Sequence, residues 1–155
     1  MKILEIDGRN YTLEYTIEAS LYNACTEKVT SFMASVTSEK GGSEKLKEIV
    51  STMASIPNTA LTLFYAGLLE NHSDEIRSER DAKELVKKYF AEHRDDESGN
   101  FYGLLNILIE CMGDDGFFKQ IGLTQITQDM SQTKQPKTPQ DHKKKTKTVT
   151  KATEK

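Results

Sequence analysis

The stretch Leu4-Glu5-Ile6-Asp7-Gly8-Arg9-Asn10-Tyr11-Thr12-Leu13-Glu14-Tyr15 decides how the rest of the chain must fold. Leu4, Ile6, Tyr11, Leu13 and Tyr15 stand two apart on either side of Asp7-Gly8-Arg9-Asn10, a cluster of turn formers. This alternation predicts a β-hairpin with one apolar face. A two-stranded hairpin alone is marginal in water, so the remainder of the chain must cover that face.

Beyond Tyr15 the chain reads as helical. Thr16 is placed to cap a helix in which Leu21, Cys25, Val29, Phe32, Met33 and Val36 recur at three- and four-residue steps, ended by Ser38-Glu39-Lys40-Gly41-Gly42. Ser43 opens a shorter helix with Leu46, Ile49, Val50, Met53 and Ile56 along one side, stopped by Pro57. Asn58 caps a third, residues 59–70, which is apolar around most of its circumference through Leu61, Leu63, Phe64, Tyr65, Leu68 and Leu69. Neighbours must cover such a helix on several sides, which marks it as the centre of the core.

Ser78 with Asp81 resembles a capping box, opening a fourth helix with Leu85, Val86, Tyr89 and Phe90 inward and Glu84, Lys87, Lys88 and Glu92 solvated. After a polar break, residues 101–112 are densely apolar, and Gly113-Asp114-Asp115-Gly116 separates them from a last turn carrying Phe117, Phe118 and Ile121. The predicted fold is mainly α (α+β): an N-terminal β-hairpin, then a compact bundle of about five helices, in one domain over residues 1–123. No internal period suggests a repeat array.

Charge is divided along the chain. Residues 1–130 hold 13 Lys and Arg against 22 Asp and Glu, a net of −9, whereas residues 131–155 hold 8 against 2, a net of +6. From Ser131 onward the only aliphatic side chains are Val149 and Ala152, too little apolar area to offset the entropy of ordering. Residues 124–155 therefore read as a disordered Lys/Thr/Gln-rich tail. Nothing approaches the ~18–20 apolar residues of a membrane span, and Glu5 and Asp7 stand where a signal peptide would be apolar. The expected location is the cytosol. In that reducing compartment Cys25 and Cys111, both within helical apolar patterns, read as small core residues rather than a disulfide.

No enzymatic or cofactor chemistry is expected. Lys40-Gly41-Gly42-Ser43 lacks the spacing of a phosphate-binding loop. His72, His93 and His142 are far apart, and neither cysteine stands at metal-ligand spacing from another donor. His93-Arg94-Asp95 matches three letters of a kinase catalytic loop without the Gly-rich strand pair a kinase needs. Asp95-Asp96-Glu97 and Asp114-Asp115 fall in predicted loops and read as solvated. Lys143-Lys144-Lys145 could attract nucleic acid by counterion release, but the acidic body opposes it and the tail offers no aromatic ring for a base, so only weak, salt-sensitive binding is expected.

With the elements in this order, the chain resembles the tail assembly chaperones of long-tailed, siphovirus-like phages and prophages of Gram-positive bacteria. The resemblance covers residues 1–123 and is carried by the opening hairpin, the helix after it, the block Leu63-Phe64-Tyr65-Ala66-Gly67-Leu68-Leu69, and residues 78–93. It implies a protein of the host cytoplasm that binds the tape measure protein, keeps its apolar helices soluble, helps bring tail tube subunits to it, and leaves before the virion is finished. It also implies a second, longer product made by programmed frameshifting, whose added domain recruits the tail tube protein. On that implication the slip lies at or near Lys143-Lys144-Lys145, whose codons are A-rich; otherwise the run is an ordinary basic tail.

The residues themselves offer one candidate partner surface, the aromatic surplus Phe101, Tyr102, Phe117 and Phe118, because so small a domain has limited capacity to bury them. The competing reading is that they close the core. Self-association is a further expectation, with the long first helix as its seam. Two other functions stand beside the chaperone reading: a small phage structural or head–tail completion protein, and a nucleic-acid-associated protein acting through the basic tail.

Overall fold

The computed structural model describes residues 1–37 and 42–125. The tail, residues 124–155, lies outside them except for its first two positions, as do the lysine run and His142. Strands β1 (Lys2–Ile6) and β2 (Arg9–Leu13) pair antiparallel, with Lys2 opposite Leu13, Leu4 opposite Tyr11 and Ile6 opposite Arg9. The turn is Asp7-Gly8 alone, and both residues are left-handed, at φ 55° and 69°. Two positive φ values give a turn whose twist matches that of the flanking strands, which explains glycine at the second position. Arg9 and Asn10, expected in the turn, begin β2 instead.

Six helices come after the hairpin among the described residues: α1 (Ile17–Leu21), α2 (Asn23–Val36), α3 (Gly42–His72), α4 (Glu79–Glu92), α5 (Phe101–Asp114) and α6 (Phe117–Gln120). The fold is thus mainly α behind an N-terminal hairpin, with helix boundaries that depart from the sequence reading in two places. The predicted first helix is broken at Tyr22, whose ψ of 91° is extended. Its hydroxyl donates to Glu79 Oε1 at 2.8 Å and its ring meets Tyr65 edge-on at 5.5 Å, so contacts from distant elements hold the break. Thr16 supplies no side-chain cap to α1; its hydroxyl donates to the Glu70 carboxylate instead.

The second departure is at Pro57, which does not stop a helix but lies inside α3. Proline brings no N–H, so the carbonyl of Met53 loses its helical partner there. The cost is borne because the segment just beyond is clamped: Thr59, Ala60, Thr62, Leu63, Phe64, Ala66 and Leu68 are buried. Asn58 is consequently an interior helix residue and not a cap. The predicted centre of the core is in place, in the second half of α3.

The hairpin docks on that second half. Glu14 N–H donates to the Gly67 carbonyl at 2.9 Å, and the wholly buried Tyr15 donates its hydroxyl to the Leu63 carbonyl at 2.9 Å. Gly67 permits the approach, since a Cβ there would stand 3.1 Å from Tyr15 Cζ and Oη and 3.3 Å from a Leu13 methyl. Thr12 N–H donates to His72 Nε2 at 2.9 Å, which requires that nitrogen to be unprotonated. Leu4, Ile6, Tyr11 and Leu13 thereby lose contact with water, each such burial contributing about 1.5–3 kcal/mol.

The other ends are tied by local chemistry. Ser78 Oγ accepts from Asp81 N–H at 3.3 Å, while the Asp81 carboxylate accepts from Ser78 Oγ and from Arg77 N–H, a variant of the expected capping box. Asn100 caps α5 by accepting from Gly103 N–H at 3.0 Å. Asp115, expected to be solvated, is largely buried at the end of α5, where its carboxylate accepts from Tyr15 N–H at 2.9 Å. Its neighbour Asp114 is exposed, as are Asp95, Asp96 and Glu97.

Candidate docking groove

The first half of α3, before Pro57, is exposed over most of its surface. Leu46, Ile49, Val50 and Met53, which the sequence places along one side of a helix, are 66%, 45%, 66% and 63% exposed. Their spacing places all four within a stripe of about 100° on one helix. The sequence pattern defines the stripe correctly, but no described element covers it; α2 packs against α3, and Thr52 and Ile56, on the adjacent line of the helix, are half-buried.

Beside the stripe a groove of about 380 Å³ opens between α2, α3 and the start of α5. Phe32 and Val36 of α2, Ile49, Met53 and Ile56 of α3 and Tyr102 of α5 form its apolar lining, with Lys45, Glu48 and Asn106 among its polar residues. Val36 and Tyr102 are 64% and 59% exposed, so they extend the apolar surface beyond the groove. Side chains of this kind bind by shape and apolar burial. A pair of apolar ridges flanking a trough suits the apolar face of an amphipathic helix.

The four aromatics proposed from sequence do not form one surface. Tyr102 is at the groove. Phe101, one residue earlier and so about 100° around α5, is half-buried, edge-on to Phe90 at 4.9 Å. It lines a separate cleft of about 410 Å³ with Pro57, Leu61 and Val86, flanked by Lys83 and Lys87. Phe117 is wholly buried and meets Tyr15 edge-on at 5.9 Å, so it belongs to the core and is not available to a partner. Phe118 is half-buried against it at 6.2 Å.

Groups with displaced acidities are scattered and each has a structural cause. Burial pushes the Cys25 thiol up to about 12. Burial, then the hydrogen bond to Glu79, raises Tyr22 to about 12. The hydrogen bond and charge of Lys88 hold the exposed Asp7 carboxylate below its usual range. Cys25 and Cys111 are buried without a disulfide between them. Among the described residues no three His, Cys, Asp or Glu side chains assemble into a metal site. No described helix is long and apolar enough to cross a membrane.

Comparison of the chain with protein-family models, with curated proteins and with solved structures gave no match.

Proposed function

We propose that this protein is a binding module without chemistry of its own, a phage tail assembly chaperone whose groove receives apolar helical segments of the tape measure protein. The observation that supports this reading is the uncovered stripe Leu46, Ile49, Val50 and Met53 beside the groove, on a helix whose second half anchors the fold. A long helical client exposes apolar faces before it is enclosed by the tail tube, and a half-open groove can cover such a face and release it. The net −9 of residues 1–130 keeps the complex soluble while the apolar surfaces are occupied. Tyr102 is the one aromatic of the sequence-derived set that contributes to this surface. In this reading the protein acts in the host cytoplasm, is absent from the finished virion, and tail tube subunits are recruited through a frameshifted longer product.

Co-expression with the tape measure protein of the same genome, followed by centrifugation and co-purification, tests the proposal. The expected result is a soluble complex that Met53→Asp abolishes while the variant itself stays folded. A tape measure protein that remains in the pellet, or one solubilised equally by the Asp variant, overturns it.

A further inference from the structure

The same face has a property that the client reading does not use. In the segment around the stripe, residues whose numbers sum to 99 are complementary. Leu46 matches Met53 and Ile49 matches Val50, so the four apolar side chains are their own partners about a twofold axis between positions 49 and 50. The charged residues that flank the stripe, Lys45 and Lys47, match Ala54 and Thr52. Two antiparallel copies of this helix therefore bring apolar residues onto apolar residues, and no charge is set opposite its own kind. A parallel pairing in register would bring Lys45 and Lys47 of one copy beside those of the other, which costs free energy.

The area is sufficient. With ordinary side-chain areas, Leu46, Ile49, Val50, Met53, Val36 and Tyr102 leave on the order of 600 Å² open, at the top of the ~300–600 Å² range for a monomer's largest apolar patch. Two copies covering all of it, Val36 of α2 and Tyr102 of α5 as well as the stripe, would bury at most about 1,200 Å² in total, the size at which specific interfaces begin.

We infer that, without a client, the first half of α3 pairs antiparallel with the same segment of a second copy, the twofold passing between Ile49 and Val50. The pair covers the docking face, and client and second copy compete for it. The inference shares its surface with the proposed function but not its premise, so it is tested on the protein alone.

Sedimentation equilibrium of the full chain over a range of concentrations should give a mass rising from 17.5 kDa toward twice that value. Val50→Glu, at a position 66% exposed, should leave the helical circular-dichroism spectrum unchanged and raise the dissociation constant at least about a hundredfold, because two uncompensated carboxylates would meet at the axis. Register is read by oxidation: Val50→Cys, next to the axis, should form an intermolecular disulfide much faster than Leu46→Cys, whose counterparts lie at opposite ends of the interface. A monomer at every concentration, a dimer indifferent to Val50→Glu, or equal cross-linking at both positions overturns the inference. None of these outcomes bears on whether the tape measure protein is solubilised.

Discussion

Replacing Phe117 with Ala separates a core side chain from a surface one. Phe117 is completely buried beneath the four-residue helix α6, edge-on to both Tyr15 and Phe118. Truncation removes the transfer free energy of the ring and leaves a void that Tyr15 cannot fill, because its hydroxyl is held by the Leu63 carbonyl. Phenylalanine-to-alanine changes at such sites cost about 3–5 kcal/mol, out of a total stability that is ordinarily about 5–15 kcal/mol. For a folded region of roughly 120 residues, each kcal/mol lowers the melting temperature by about 4 °C, so the expected drop is about 12–20 °C. Circular dichroism at a helix wavelength measures it, with urea unfolding to confirm that the slope of the transition is retained. Tyr102→Ala is the control: at 59% exposure it should move the melt by no more than about 2 °C. A Phe117→Ala melt within about 5 °C of the parent would refute the placement of α6 against Tyr15.

Two further outcomes are expected from groups on the other side of the core. Gly67→Ala gains up to about 1 kcal/mol of helix propensity but forces a Cβ to 3.1 Å from the immobile Tyr15 ring; overpacking costs about 1–3 kcal/mol, so net destabilisation on thermal melting is expected, and a stabilised variant would show that Tyr15 yields. Burial raises Cys25 from 9.0 to about 12 and, as the largest cause, Tyr22 from 10.0 to about 12. Both are favoured as neutral groups in the fold, so their contribution is complete below pH 9 and is lost as pH rises toward 12. Urea midpoints should fall across that window, and Cys25 should resist thiol reagents at about pH 8 until the protein unfolds.

How much of this was legible in the sequence depended on whether local or distant contacts decided the outcome. The hairpin was legible because alternation and an Asp-Gly turn are both local. The second half of α3 was legible as core because Leu63, Phe64 and Leu68 leave it no polar side to expose. The helix through Pro57 was not: the local rule ends a helix there, and it was overruled by burial of the residues beyond. The break at Tyr22 likewise rests on Glu79 and Tyr65, far along the chain. Asp115 is a loop carboxylate by sequence and becomes an anchor only once Tyr15 N–H is brought to it. The candidate site was half visible. Periodicity gave the stripe from Leu46 to Met53 but carries no information on what covers a stripe, and adjacency in sequence grouped Phe101 with Tyr102, which helix geometry then sent to different clefts.

The way the hairpin is moored to α3 has a bearing on aggregation. A two-stranded sheet ordinarily offers unpaired main-chain donors along its outer edges, where a strand of another molecule can add. Along β2 those outward amides include Thr12, already donating to His72, and just past its end Glu14, donating to Gly67. A foreign strand approaching that side meets a helix and finds these two donors spent. The element of this protein most prone to templating others is therefore obstructed along that edge by the same contacts that build its core.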